Sequence, residues 1–423
     1  MRTIVIVALI SGLCLTAAGQ DLIDIYKSGQ VILEEDKSYG AANEWTDVFY
    51  DIDYGWERHS DGKNKAIALA PDGTVFMSHR SRHSISIFDK DGNYLRDFGQ
   101  KGGRESDFVY MPFVGGVLGG SYLCTYAVDG RMLFFDLEGN WVKTHALDYM
   151  PLETAMLGDG KLAILGSTAW ATKSRTLISI KDFKTGREKI VWDHFTDRPS
   201  ASAGSSQAQA SGKNLKDTKK TVEQLVYRRP RIMSDKDGNL VMVLPGNGEV
   251  KVFSPAGEMT RSYKLETGEL MRISDEDRQE YYDERMEALK KSEKRMKEEK
   301  DERMKERYRK SIEQMKEYLE YYLDPELNPG YLPALSQAMI DSDNNLLGFR
   351  FTNDEGQNKF FVYTFDSRGQ KICESSFLSE EYDLDFSSSK FVYHRGEVIA
   401  VQFLKDEERA VPLRLTKFRL KKE

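Results

Sequence analysis

Several features are scarce in this sequence, and their scarcity narrows the possible functions. The chain of 423 residues has only 3 cysteines and no excess of positive charge, since its formal net charge is −7. A general nucleic-acid-binding protein should carry a basic footprint, so the acidic balance argues against that class. No spacing of Cys, His, Asp or Glu is typical of a metal site, and no catalytic motif stands out. The function must therefore be sought in surfaces.

Long hydrophobic runs are also missing, except near the N-terminus. The run from Ile4 to Leu15 is apolar but shorter than the ~20 residues that a membrane-spanning helix needs. Arg2 precedes this run, and the small residues Thr16 to Gly19 follow it. This order is typical of a cleaved signal peptide over residues 1–19, with a membrane anchor as the alternative. We expect an exported mature chain, in the periplasm or at the cell surface, that begins near Gln20.

Only two of the cysteines remain in such a mature chain. Cys14 lies in the signal peptide, and Leu13 before it departs from the small residue usual in lipoprotein signals, which disfavours lipidation. Cys124 and Cys373 lie on separate apolar runs. Export would permit a disulfide between them, but two buried free thiols are the simpler interpretation.

One repeating unit accounts for most of what is present. In the stretch Ala66 to Phe98, apolar runs are separated by Asp72-Gly73 and Asp91-Gly92. Asp-Gly between apolar runs is a strong hairpin signal, because Gly adopts φ > 0 at no steric cost. Two hairpins in tandem predict a four-stranded antiparallel meander.

The copies of this unit predict the fold. The repeats cover residues 66–98, 113–146, 154–192, 230–265, 337–375 and 390–420, and the last has only three strands. Their period and turn chemistry favour an all-β fold, a six-bladed β-propeller of four-stranded antiparallel blades, over a two-sheet β-sandwich. A strand from within Val31 to Ile52 should pair with Val411 to Leu420 and close the ring. Residues 20–423 would then form a single domain.

Two segments interrupt the repeats. Residues 196–220 are rich in Ser, Ala, Gln and Gly and predict a flexible loop. Residues 274–323, between the fourth and fifth blades, lack Gly and Pro and place apolar residues at helical spacing. A single helix of this length would span about 75 Å and could not return to the next blade, so we predict a helical hairpin bent between Ser292 and Asp301. We expect its second arm to pack on the propeller near Tyr331 and Leu332. The hairpin could also act as a docking arm or find a coiled-coil partner.

Two stretches resemble a known family. The sequence FDKDGNYLRDFGQKGGRESDFVYMPF at Phe88 to Phe113 looks like the junction between two NHL-type propeller repeats. The segment Asp324 to Phe351 is similar to the corresponding part of secreted six-bladed propellers, NHL-like or TolB-like, of Gram-negative Bacteroidota. The resemblance covers most of the chain from Lys65 on and implies a fold without an activity, because the family is mostly of unknown function. The weak turn of the third repeat and the Ser/Ala-rich loop depart from its pattern.

The predicted topology separates two faces. In a meander of strands a, b, c and d, the a–b and c–d turns lie on one face, and the longer b–c and d–a connections lie on the other, which we call the decorated face. Loops on a rigid scaffold commonly carry function. The candidate ligand-binding residues there are His79, Arg80, Arg82, His83, Tyr126, Arg229, Arg231, Asn247 and Arg350.

These candidates have simpler interpretations as well. Arginine matches carboxylate and phosphate geometry, but ion pairing with the many acids of the chain is an alternative use of the same side chains. His79 and His83 are spaced i,i+4 on a predicted loop, where the spacing has no geometric meaning. A surface hydrogen-bonding role is therefore favoured for them over metal ligation.

Two functions remain open. One is a non-enzymatic binding or scaffold propeller for an unknown protein or small-molecule ligand on the decorated face. The other is a Ca²⁺-dependent, lactonase-like hydrolase with a site in the central channel. Such hydrolases typically hold Ca²⁺ with Glu, Asn and Asp from the inner strands, whereas the inner strands predicted here are apolar. The sequence favours binding, with no cofactor, no metal, no catalytic residue and no nucleic-acid partner.

Overall fold

The strands of this chain form several antiparallel sheets that follow one another in sequence. The computed structural model describes residues 21–49, 66–79, 82–168, 174–196, 229–268, 272–323, 334–350, 359–384, 391–394, 396–405 and 413–423. Strands are the most common element among these residues, and helices are few. The predicted signal peptide, Arg80 and residues 197–220 of the predicted loop lie outside the described residues.

Two short helices and one strand come before the first sheet: α1 (Leu22–Tyr26), β1 (Gln30–Glu35) and α2 (Trp45–Val48). The first sheet contains β2 (Ile67–Leu69), β3 (Val75–His79), β4 (Ser84–Phe88) and β5 (Tyr94–Phe98). The second contains β6 (Phe113–Leu118), β7 (Tyr122–Tyr126), β8 (Arg131–Asp136) and β9 (Trp141–Ala146). Each is antiparallel, with neighbouring strands consecutive in the chain.

The next two sheets repeat this order. The third contains β10 (Met150–Met156), β11 (Leu162–Ser167), β12 (Ser174–Lys181) and β13 (Glu188–Thr196). The fourth contains β14 (Arg231–Ser234), β15 (Leu240–Leu244), β16 (Glu249–Phe253) and β17 (Met259–Lys264). The predicted four-stranded antiparallel sheets are thus confirmed for the first four repeats.

The tight turns are held by an aspartate that precedes the Gly. The carboxylate of Asp235 accepts hydrogen bonds from the backbone N–H of Asp237 at 3.0 Å and of Asn239 at 2.8 Å. It also accepts one from the Asn239 side-chain amide at 3.0 Å. Gly238, between these residues, has φ 76°, a value that favours glycine. The same Asp-to-Asn pairing recurs at Asp89, Asp136 and Asp341. The turn chemistry of the repeat is therefore built by local hydrogen bonds.

The fifth and sixth repeats share one nine-stranded sheet. Its strands are β18 (Gln337–Ile340), β19 (Leu346–Phe349), β20 (Lys359–Phe365), β21 (Lys371–Leu378), β22 (Tyr382–Asp383), β23 (Phe391–His394), β24 (Glu397–Leu404), β25 (Leu413–Lys422) and β1. Strand β1 pairs antiparallel with β25, with Leu33 opposite Leu420. The predicted pairing of an N-terminal strand with the last strand is confirmed.

The same strand also makes a contact that the prediction lacked. On its other edge, β1 pairs parallel with β21, with Val31 opposite Phe377. The prediction of two separate four-stranded sheets for these repeats was therefore wrong, because the hydrogen bonds of β1 join them into one sheet. The physical reason is that β1 presents backbone donors and acceptors on both edges, and both neighbouring strands are within reach of them.

The groups of strands that correspond to the repeats are arranged in chain order. The first strands lie side by side: β2 contacts β6, β6 contacts β10, β10 contacts β14, and β14 contacts β18. Strand β2 also contacts β23, from the other end of the chain. Buried apolar clusters fill the spaces between neighbouring groups, through the pairs Phe76 and Phe135, Phe134 and Ile164, Ile178 and Met242, Val250 and Phe365, Phe377 and Phe418, and Phe403 and Phe88. The core is therefore divided into layers between groups of strands.

The predicted helical hairpin is present. Helix α3 (Asp275–Glu298) and helix α4 (Glu302–Leu323) pack against each other, and the bend lies within the predicted interval. Leu289, Ile312 and Leu319 form their buried cluster, which contains no strand residue. Lys316 of α4 donates to Glu293 of α3 at 2.7 Å. The apolar face of α4 is thus used by α3; Tyr331 and Leu332, its predicted contacts, lie outside the described residues.

Both described cysteines are free. Cys124 is fully buried in the layer between the second and third sheets, and burial raises the pKa of its thiol. Cys373 is half-buried. The prediction of free thiols is confirmed, although only Cys124 is fully buried.

Candidate functional site

An acidic and a basic side chain meet on two of the first strands. Arg231 begins β14, and Glu153 lies in the neighbouring strand β10. The Arg231 Nη1 atom is 3.9 Å from the Glu153 Oε2 atom, and the two side chains are 15% and 8% exposed. A charge so far removed from water requires partners, because its desolvation costs several kcal/mol, about as much as an ion pair returns. This pair is the candidate functional site.

The guanidinium of Arg231 is only partly satisfied. Its one ion pair, at 3.9 Å, is longer than a hydrogen bond. Within the described part of the chain, no hydrogen bond from the Arg231 side chain is present. A guanidinium offers five N–H donors in a planar fork. The arrangement therefore suits an acceptor-bearing group, such as a carboxylate or phosphate, that enters beside Arg231.

The surroundings of the pair are polar and partly rigid. Thr154, next to Glu153, donates from its hydroxyl to the Gly115 carbonyl at 2.8 Å and so ties β10 to β6. Buried Gln337 begins β18, the strand on the other side of β14. Arg229, two residues before Arg231, is exposed. The site thus lies on two neighbouring first strands, within β10 and at the start of β14.

The predicted loop near His79 has a different character. His79 is the last residue of β3 and is 1% exposed, so it is not on an exposed loop. Arg82 pairs with Asp97 at 2.9 Å and donates to the Val48 carbonyl at 2.9 Å, which links the first sheet to α2. His83 is half-buried and has φ 55°. Arg82 therefore has a structural role, and the ion-pair interpretation fits it.

The remaining candidates are distributed over other sheets. Tyr126 is fully buried at the end of β7, where its hydroxyl donates to the Leu152 carbonyl at 3.0 Å. Asn247 accepts from the Glu249 N–H at 3.0 Å and so shapes its own turn. Arg350 pairs with Glu374 at 2.9 Å and lies over the Tyr363 ring at 5.2 Å. Among the candidates that the structure describes, Arg231 alone combines partial burial, a position on the first strand of its sheet and donors without a hydrogen bond.

Glu153 was missed by the sequence analysis. The third repeat was predicted to begin at Thr154, but β10 begins at Met150. A register shift between Pro151 and Glu153 interrupts the pairing of this strand. Because proline is unusual within a strand, Pro151 argued against a strand that begins before it. The available signal was one acid inside the apolar run MPLETAM.

Comparisons with known proteins give likenesses in fold. No family model matches the chain, and no curated protein matches it. A solved member of the DUF4221 family from Bacteroides vulgatus has a TM-score of 0.48 and 12% identity, covering 94% of this chain and all (100%) of that one. Regucalcin, a calcium-binding protein from Agrobacterium tumefaciens, has a TM-score of 0.42 and 9% identity, covering 85% and 91%. Virginiamycin B lyase from Staphylococcus aureus has a TM-score of 0.38 and 8% identity, covering 86% and 96%. None of these likenesses assigns a function to the chain.

The described residues show neither a membrane-spanning helix nor a metal-binding cluster. Among the helices that the structure describes, none has the length and apolar character needed to span a membrane. Within the described ranges, no group of three or more His, Cys, Asp or Glu side chains is placed to hold a metal ion. No metal-ligating residue is assigned.

Proposed function

We propose that this chain is an exported, non-enzymatic binding protein built as a six-bladed β-propeller. The order of the first strands and the apolar layers between successive groups support a closed ring. The pairing of β1 with β25 supplies the fourth strand of the sixth blade. The nine-stranded sheet is then two blades joined at their outer strands through β1.

The ligand-binding position in this proposal is the side of Arg231 that Glu153 leaves open. In a ring of this kind the first strands surround the central channel, and d–a connections enter them from the decorated face. Arg231 is the first residue of β14, directly after the d–a connection, so it lies at the mouth of the channel. Its unfilled donors are the observation that carries the proposal. The ligand should present a carboxylate or phosphate group, either on a small molecule or on a protein partner.

The same pair weighs against the calcium-dependent hydrolase. A Ca²⁺ site collects six to eight oxygen ligands, commonly including several carboxylates. Glu153 is an inner-strand carboxylate, but the Arg231 guanidinium next to it repels a divalent cation. Metal analysis of the purified mature protein tests this alternative: stoichiometric Ca²⁺ would favour the hydrolase.

The binding proposal is tested by changing Arg231 alone. Isothermal titration calorimetry would compare succinate and inorganic phosphate binding to the mature chain, to Arg231→Gln and to Arg368→Gln. Arg368 is exposed on a c–d turn and provides a matched loss of charge. We expect at least one probe to bind, with affinity about tenfold or more weaker in Arg231→Gln and unchanged in Arg368→Gln. No binding of either probe to the unaltered protein, or equal loss in both variants, would overturn the assignment.

A further inference from the structure

A second group of cationic side chains lies between the second and third sheets, away from Arg231. In β9, Lys143 is opposite Phe134 and His145 is opposite Met132, so both side chains lie on one face of the second sheet. That face packs against the third sheet. Lys181, at the end of β12, approaches from the third sheet. Three cationic or potentially cationic groups therefore converge on one layer.

Aromatic rings hold these groups together. Phe183 lies 4.7 Å from Phe134 and 5.0 Å from His145, ring centroid to ring centroid. The Lys143 Nζ atom is 5.2 Å from the centroid of Phe134 and 5.9 Å from that of Phe183. The Lys181 Nζ atom is 5.7 Å from the Phe183 centroid. Both ammonium groups thus lie over the same ring, where water is partly excluded.

The negative charge in this layer is already engaged. Glu188 accepts from Lys181 at 3.2 Å and from the Tyr149 hydroxyl at 2.5 Å. Burial alone would raise the pKa of Glu188, but the Tyr149 hydrogen bond and the charge of Lys181 hold the pKa below its usual value, so the group is ionised at neutral pH. The carboxylate of Glu188 is thus paired with Lys181.

Two polar groups in the cluster lack an acceptor. Within the described residues, Lys143 makes no ion pair and no hydrogen bond, and its ammonium group lies over the rings of Phe134 and Phe183. The Nε2 atom of His145 is buried and has no hydrogen-bond partner there. Burial, together with the charges of Lys143 and Lys181, lowers the pKa of His145, so its imidazole is neutral at pH 7. A buried polar atom left without a partner costs ~1–3 kcal/mol, a cost that an entering acceptor would remove.

We propose that Lys143, His145 and Lys181 form a binding site for a small oxyanion, a carboxylate or phosphate group, between the second and third sheets. Lys143 supplies an ammonium charge with no carboxylate of its own, His145 donates from its ring N–H, and Lys181 shares its charge with Glu188. The rings of Phe134 and Phe183 lower the local dielectric and so strengthen the attraction. The anion would enter from the solvent-exposed edge of this layer, because Lys143 and His145 are only half-buried and the Glu188 side chain is 28% exposed.

The test follows His145 directly. Long-range ¹H–¹⁵N spectra of the mature chain would be recorded during titration with sodium phosphate and, separately, sodium acetate, with sodium chloride keeping the ionic strength constant. The protein has 6 histidines, and His145→Gln assigns the signal of interest. We expect a saturable shift of the His145 signals and a rise of the His145 pKa with bound anion, because a nearby negative charge stabilises the imidazolium. The anion that saturates at lower concentration identifies the ligand chemistry.

Matched variants separate binding from folding. Lys143→Met should weaken the binding at least tenfold, Lys143→Arg should retain it, and Lys184→Met, at an exposed turn residue, should leave it unchanged. The proposal is overturned if neither anion moves the His145 signals more than chloride does. It is also overturned if Lys143→Met binds the anion as tightly as the unaltered protein.

Discussion

The strand that joins the two ends of the chain should be the most sensitive part of the fold. Leu33 of β1 is 3% exposed, faces the apolar layer between the fifth and sixth repeats, and lies opposite Leu420. Leu→Ala at such a buried position removes transfer free energy and leaves a cavity, at a cost of about 2–5 kcal/mol. Its neighbour Glu34 provides the control, because its side chain is 51% exposed and pairs with Lys421 at 2.6 Å. An exposed pair of this kind contributes about 0–1 kcal/mol.

The measurement is urea unfolding of the mature chain and both variants, followed by circular dichroism. Leu33→Ala should lower the free energy of unfolding by about 3 kcal/mol, and Glu34→Ala by less than about 1 kcal/mol. Size-exclusion chromatography should also show more association for Leu33→Ala, because a loosened β1 leaves the edges of two strands open. Equal and small losses in the two variants would refute the view that β1 is an integral strand.

Two further predictions concern a turn and a partly buried carboxylate. Gly92 has φ 80°, and a Cβ added there would lie 2.6 Å from a tyrosine ring, whereas Gly160 has φ 68° and open space. Gly92→Ala should therefore destabilise the protein by about 1–3 kcal/mol more than Gly160→Ala in urea unfolding, and equal losses would contradict the packing argument. The hydrogen bond from Ser38 and the interaction with Lys417 lower the pKa of Asp36 to about 2. A depressed pKa stabilises the fold above the unfolded value of about 3.9, and this stabilisation is lost as pH falls through 2. Between pH 4 and pH 2, the thermal stability of Asp36→Asn should therefore fall less steeply than that of the unaltered protein. An equally steep fall in both would contradict the stabilising role of ionised Asp36.

Local chemistry explains why so much of the fold could be predicted. The turn at Asp235 to Asn239 is closed entirely by groups within five residues of one another. The hairpin α3–α4 could also be predicted, because a helical run without Gly or Pro that is too long for one returning helix must bend. Features of this kind depend on short segments of the sequence, so they can be predicted without knowing the tertiary fold.

Contacts between distant residues could not be predicted in the same way. The parallel pairing of Val31 with Phe377 joins residues from opposite ends of the chain and leaves no short-range pattern. The α4 helix was predicted to pack near Tyr331 and Leu332, which lie outside the described residues, and the contacts described for its apolar face are with α3. In both cases the sequence indicates that a surface needs a partner without indicating which one.

The arginines show what this limit means for function. Arg82 and Arg231 have the same chemistry and were predicted as members of one anion-binding set. Arg82 has a carboxylate at 2.9 Å and a backbone carbonyl at 2.9 Å, so a ligand would have to displace partners it already holds. Among the described residues Arg231 has one carboxylate, at 3.9 Å, and it lies on the first strand of its sheet, so a ligand there would add hydrogen bonds without breaking any. A new hydrogen bond to a charged group contributes about 1.5–3 kcal/mol, provided that no existing hydrogen bond is lost. A ligand should therefore gain more binding free energy at Arg231 than at Arg82. Arg82 and Arg231 are the same residue type and differ in how many of their donors already have an acceptor. The sequence does not show this difference, because it depends on where Asp97 and Glu153 lie in the fold.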